Sequence, residues 1–178
     1  MRLSCCGWLA IGLVASSPAW SRGTPHVHGA ARLEVVVEAS QVTLQLELPL
    51  ESLVGFEHAP RGAAQIQRAA AAVQALNAAD ALFKFTPAAR CVVHSVVLES
   101  AALNLGPRAA ADTPPSDHAD VDATYVFTCA DTPRATEVDV GLFEAFSRLQ
   151  QVTAEVATAK GQFKRALTRP AKRLSLVR

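Results

Sequence analysis

Val42, Leu44, Leu46 and Leu48 alternate with Thr43, Gln45 and Glu47, a period of two that predicts a strand with one buried face. Leu33, Val35 and Val37 alternate less cleanly with Glu34, Val36 and Glu38. Ala39-Ser40-Gln41 leaves room only for a short connection, so the two runs predict an antiparallel hairpin that Pro49 helps to end. Beyond Pro60 the period changes. Ile66, Ala69, Ala70, Val73 and Leu76 follow helical spacing, with Gln65, Arg68, Gln74 and Asn77 off that stripe. The alanines give this stretch high helix propensity and allow close approach to a sheet. Leu82, Phe83 and Phe85 read as core anchors at the helix exit.

The second half returns to strands. An apolar run opens at Cys91 and extends to Leu105; another runs from Val121 to Cys129, with Val121, Ala123, Tyr125, Phe127 and Cys129 on one face. His94 falls in the first of these, which reads as a central strand, and so is expected to be half-buried. The segment from Gly106 to Asp120, with Pro114-Pro115, is too long for a hairpin turn and predicts a mobile loop. Asp139 to Phe146 reads as a short helical turn anchored by Leu142, Phe143 and Phe146. Val152, Ala154 and Val156 alternate again, Lys160-Gly161-Gln162 turns the chain, and Leu174-Ser175-Leu176 reads as an edge strand. The pattern predicts an α+β fold, a mainly antiparallel sheet with one principal helix packed on a face.

The amino-terminal pattern is of another kind. Arg2, the apolar run Trp8 to Val14, and Ala19-Trp20-Ser21 occur in the order of a secretory signal. Residues 1–21 are therefore expected to be a cleaved leader and residues 22–178 a single domain, soluble and exported. Cys5 and Cys6 precede the apolar run and leave with it. No segment approaches the roughly 20 apolar residues of a membrane span. Two cysteines remain, Cys91 and Cys129. An even pair in an exported chain most often forms a disulfide. If their strands make a hairpin, both lie at its open base and on one face, as a cross-strand bridge needs. Closing that loop restricts the unfolded chain by about 4 kcal/mol in the chain-entropy model. Two free thiols or two sulfur metal ligands form the competing reading.

Charge narrows the partners. Loss of the leader removes Arg2, one of 17 basic residues, and none of the 16 acidic ones, so the exported part is balanced. That argues against nucleic acid, which favours a strongly basic surface. The balance is uneven along the chain: Lys160, Lys164, Arg165, Arg169, Lys172, Arg173 and Arg178 follow one another without an acidic residue. A strand edge defended by charge accounts for this; a surface for an anionic partner is the alternative.

Candidate chemistry is sparse. No Gly-rich phosphate loop, Gly-x-Ser-x-Gly elbow or His-Glu-x-x-His helix is present, and the chain is not read as an enzyme. His26 and His28 stand two apart, so in the extended arm set by Thr24 and Pro25 both imidazoles can reach one metal ion. They supply half of a tetrahedral set, and a structural role at the start of the first strand competes with it. Glu57-His58 lies in Gly55-Phe56-Glu57-His58-Ala59-Pro60. The pair can act as ligands, or form a loop-to-helix junction in which His58 bonds the backbone and Phe56 plugs the core. A hydrolytic site of His26, His28 and His58 with Glu57 as base is conceivable, but no spacing requires it. Asp112, Asp117, His118, Asp120 and Asp122 in or beside the long loop are too dilute to define a site.

Taken together, the leader, His26-Val27-His28-Gly29 and Gly55-Phe56-Glu57-His58-Ala59-Pro60 resemble the ZrgA-type zinc-regulated proteins of Gram-negative bacteria. Tyr125-Val126-Phe127-Thr128-Cys129 and Leu142-Phe143 fit the same pattern. The resemblance covers nearly the whole exported chain and rests chiefly on the Gly-Phe-Glu-His-Ala-Pro fragment. It implies a periplasmic zinc-binding accessory of zinc uptake, working beside a component of a zinc ABC transporter; on the residues, His26 and His28 are the expected metal ligands, Glu57 and His58 further candidates, and His118 an auxiliary one. The family's histidine-rich loop corresponds here to the segment from Gly106 to Asp122, which holds one histidine, His118. That departure argues against high-capacity storage. The alternative is a metal-free periplasmic interaction domain with structural histidines.

Overall fold

The alternating runs become strands in the computed structural model, which describes residues 27–106 and 119–178. The expected leader, and with it His26, lies outside the described residues, as do Asp112, Asp117 and His118 of the long loop. β1 (Ala30–Val37) and β2 (Gln41–Pro49) form the expected hairpin, with Leu33 opposite Leu46 and Val35 opposite Leu44. The chain then makes α1 (Leu50–Val54), α2 (Gly62–Asn77), α3 (Ala79–Leu82) and β3 (Phe83–Phe85). β4 (Cys91–Glu99) pairs antiparallel with β5 (Asp120–Cys129), and the register sets Cys91 against Cys129. The two are joined by a disulfide, as the hairpin reading expects. β6 (Glu137–Val140), α4 (Leu142–Ala145), β7 (Gln151–Thr158), β8 (Gly161–Thr168) and β9 (Arg173–Ser175) complete the order.

A six-stranded sheet runs β4-β5-β2-β1-β7-β8, and a three-stranded sheet runs β3-β6-β9. All pairs are antiparallel except β1 with β7. That parallel pair joins β1 to a strand that begins more than a hundred residues later, Ala30 standing beside Gln151. The mostly antiparallel α+β class is the expected one; the second sheet is an addition to it.

One face of the large sheet is apolar. Leu33, Val35, Leu44, Leu46, Leu48, Val121, Tyr125, Phe127, Val152 and Val156 are all buried within one core cluster. The small sheet packs onto them through aromatic edges: Phe83 meets Tyr125 and Phe85 meets Phe127, each at 4.9 Å between ring centroids. The Tyr125 hydroxyl donates to the Leu76 carbonyl at 3.0 Å, near the end of α2, which satisfies a buried polar group. Burial pushes the Tyr125 phenol pKa well above its ordinary value.

Several expectations are corrected. The buried stripe of α2 is Ala69, Ala72 and Leu76, while Ile66 is 57% exposed and Ala70 is exposed. Four consecutive alanines, Ala69 to Ala72, blur the periodicity, and the packing selects a stripe that the pattern leaves ambiguous. The strand from Cys91 stops at Glu99. Ser100 bridges to Leu105, closing a tight turn in which Asn104 takes a positive φ of 54°. β4 is an edge strand, not a central one, and His94 sits exposed at its bulge between Val93 and Ser95. Asp120 and Asp122 are β5 residues opposite Pro49 and Glu47, not members of the loop. Asp139 belongs to strand β6, so the helical turn starts later, at Leu142. β8 and β9 are edge strands, as the basic run and the closing segment lead one to expect.

Candidate functional site

Where β2 ends, Pro49 and a single helical turn place two side chains on opposite sides of α1. Leu50, Ser52 and Val54 are buried, which leaves Glu51 facing outward. The buried Ser52 hydroxyl accepts the Gly29 backbone N–H at 3.0 Å. The Gly29 carbonyl accepts from Gln150 N at 2.7 Å and from Gln151 N at 3.0 Å. Gly29 is thus clamped between α1 and the start of β7, with a positive φ of 75° that suits glycine. The clamp fixes the residue before it. His28, still 68% exposed, brings Nδ1 to 3.4 Å from Glu51 Oε2 and 3.7 Å from Glu57 Oε1.

Gly55 ends α1 with a left-handed φ of 86°, its N–H returning to the Glu51 carbonyl at 2.8 Å. The chain then turns sharply, burying Phe56 and carrying Glu57 to the side where His28 lies. His58 follows a different course. Its ring stacks on Phe56 at 5.2 Å, and Nδ1 donates to the Ala59 carbonyl at 2.8 Å. His58 bonds the backbone and Phe56 is buried, the arrangement of a loop-to-helix junction, while Glu57 turns toward His28.

A third segment completes the cluster. Arg148 lies in the link between α4 and β7, and its Nη1 is 3.5 Å from Glu51 Oε1. Its guanidinium rests against Gly55: a Cβ there would sit 2.8 Å from Arg148 Cζ. The Arg148 carbonyl in turn lies 3.3 Å from where a Gly29 Cβ would be. The glycines of both sequence fragments therefore serve the close approach of one arginine. Glu51 stands between an imidazole on one carboxylate oxygen and a guanidinium on the other.

Neither Glu51 nor Arg148 is singled out by the sequence. Glu51 falls just past the strand that Pro49 helps to end, and the contact joining it to His28 spans 23 residues. Gly55 is the one local signal, since a glycine after a short apolar segment marks a left-handed helix end. Among the described residues, no group of three or more histidine, cysteine, aspartate or glutamate side chains is arranged to hold a metal ion. The cluster is an ion-paired one, in which His28 meets each glutamate separately.

The model of one protein family, described as ZrgA family zinc uptake protein, matches residues 25–176. The chain belongs to that family. The ZrgA match spans both glycine-histidine fragments, the disulfide hairpin and Arg148, so every part of the cluster falls inside it. It supports a role related to zinc uptake and no known enzyme family. Comparison with individually curated proteins found no match. Among the described residues of this ZrgA chain, no helix is long and apolar enough to cross a membrane.

Proposed function

We propose that this chain is a periplasmic zinc-binding accessory protein that assists zinc uptake by capture and hand-over, without catalysis. The carrying observation is the meeting of His28 with Glu51 and Glu57. Imidazole nitrogen and carboxylate oxygen form a donor set that zinc uses, with bonds of about 2.0–2.1 Å and hence ligand separations of about 3.3 Å in a tetrahedron. The His28 nitrogen lies 3.4 Å and 3.7 Å from the two glutamates, close to that edge length. Admitting the ion requires the exposed His28 and the partly buried Glu51 and Glu57 to move relative to one another. His26, one residue beyond the first described one, is proposed as a further ligand on the same arm. His58, through Nε2, and His118 are proposed as auxiliary ligands.

Export rests on the leader-like residues 1–21. The acceptor of the ion is proposed to be a component of a zinc ABC transporter, consistent with the uptake role of the family. An exposed His28 suits a protein that must give its metal up. Zinc titration against a chromophoric chelator, together with native mass spectrometry of periplasmic protein, tests the reading. A single high-affinity zinc that is weakened at least tenfold in a His28→Ala, Glu57→Gln variant is the expected outcome. Full retention of affinity in that variant moves the site elsewhere.

A second reading has its own support. Glu51 is already paired with Arg148, and His58 already bonds the backbone. Both are what a metal-free interaction domain with structural histidines requires. Absence of any zinc adduct at micromolar free zinc decides for it.

A further inference from the structure

We infer that Arg148 is a tethered cation that holds the Glu51 carboxylate in the metal-free protein and is exchanged for the metal on binding. The inference rests on the zinc reading above and assigns a regulatory residue to that site. Three observations carry it. Among the described residues the cluster as it stands is not arranged to hold an ion, yet it brings one imidazole from the arm to two carboxylates from α1 and its exit. The charge that faces Glu51 is supplied by Arg148, on the carboxylate oxygen that His28 does not meet. The backbone is shaped to admit that side chain: Gly55, left-handed at φ 86°, has the guanidinium where its Cβ would be.

A guanidinium can neutralise a carboxylate but offers no lone pair to a metal. A divalent cation bound between His28 and Glu51 therefore meets a fixed positive charge a few ångströms away. Repulsion between them, in solvent-screened surroundings, is worth about a three- to tenfold change in affinity. Arg148 is 53% exposed, so it can swing into solvent without leaving a buried charge behind. Its backbone stays anchored, because its carbonyl lies against Gly29 and the next link is bonded to Gly29 O. The device lowers affinity without removing a ligand and returns to the carboxylate when the metal leaves. Such a property favours transfer over storage.

The test is zinc titration of the exported chain and of its R148Q, R148K, E51Q and E51Q/R148Q variants, with thermal melts to establish that each folds. R148Q is expected to bind zinc three- to tenfold more tightly, R148K to stay near wild type, and the gain from R148Q to shrink in the E51Q background. Nitrogen-15 NMR gives a readout independent of affinity: the Arg148 Nε–H resonance should move, and exchange faster with water, as zinc is added. Weaker or equal zinc affinity in R148Q, or an unmoved Arg148 resonance at saturation, overturns the inference while His28→Ala still weakens binding. If His28→Ala leaves binding intact, or no zinc binds at all, the zinc reading itself fails and this inference falls with it.

Discussion

Two charged regions of this molecule differ in construction. In the basic run from Lys160, Lys164, Lys172 and Arg173 meet carboxylates of neighbouring elements, while Arg169 and Arg178 bond backbone carbonyls. Lys164 on β8 meets Glu155 on β7 at 3.0 Å, and Arg173 on β9 meets Asp139 on β6 at 3.0 Å. Lys172 reaches Glu144 in α4 at 2.8 Å. These pairs face solvent and have alternatives at hand, Glu137 at 3.7 Å from Arg173 and Arg32 at 3.5 Å from Glu155, so each is replaceable. The α1 cluster is convergent: the arm, the helical turn and the link before β7 supply His28, Glu51 and Arg148 to one place. Its members share partners, so removing one changes the situation of the others. A run of charge in a sequence thus says little about function here, whereas two isolated glycine-containing fragments say more.

The contrast can be broken most directly at the convergent end. Replacing His28 by Ala together with Glu57 by Gln is expected to cost at least tenfold in zinc affinity; the same chelator titration on a Lys164→Gln, Lys172→Gln variant should show no change. Next in size is Gly55→Ala. A left-handed φ and the Arg148 guanidinium both oppose a Cβ, so about 1–2 kcal/mol of stability should be lost in urea unfolding. A cost as small as that of a surface alanine substitution shows that Arg148 does not need this glycine.

Between the two regions lies a buried reference point. Tyr125→Phe removes the hydroxyl bonded to Leu76 O and is expected to cost about 1 kcal/mol. The folded-state phenol pKa is raised, so its contribution is present below the unfolded value of about 10 and is lost as pH rises beyond it. The Phe variant should therefore show a shallower alkaline loss of stability than wild type, measured by urea unfolding from pH 8 to 11.

The smallest effects belong to the basic run. Lys164→Gln should cost at most about 0.5 kcal/mol after solvent screening. Hydrogen bonds from Arg173 and Lys164 hold the Asp139 and Glu155 carboxyls below their usual pKa. Their contribution is then present above the unfolded carboxylate range and fades as pH falls through the folded values. A shallow, salt-sensitive decline in melting temperature below about pH 4 is the expected result. A steep decline insensitive to salt points to carboxylates elsewhere.

Much of the fold was legible because strand alternation is a local signal. Leu44, Leu46, Tyr125 and Phe127 announce their face by their spacing alone, and Cys91 and Cys129 announce each other through the hairpin they end. The helix stripe was not legible, since Ala69 to Ala72 can bury on several faces at similar cost. His94 was misplaced because an apolar edge strand and an apolar central strand read the same until neighbours are counted. At the candidate site, His28 and Glu57 could be found from composition and position, while Glu51 and Arg148 could not.

The residues by themselves determined the class of the fold, the disulfide hairpin, the core faces of the strands and the family. These depend on short-range periodicity and on motif fragments that need no partner to be recognised. Only the tertiary structure decided which charges meet. The parallel pairing of β1 with β7 carries Ala30 alongside Gln151, far away in sequence, and the clamp on Gly29 adjoins it. That pairing sets Arg148 beside Glu51 and His28, because distance in space, which sequence spacing does not encode, governs the interaction of charges.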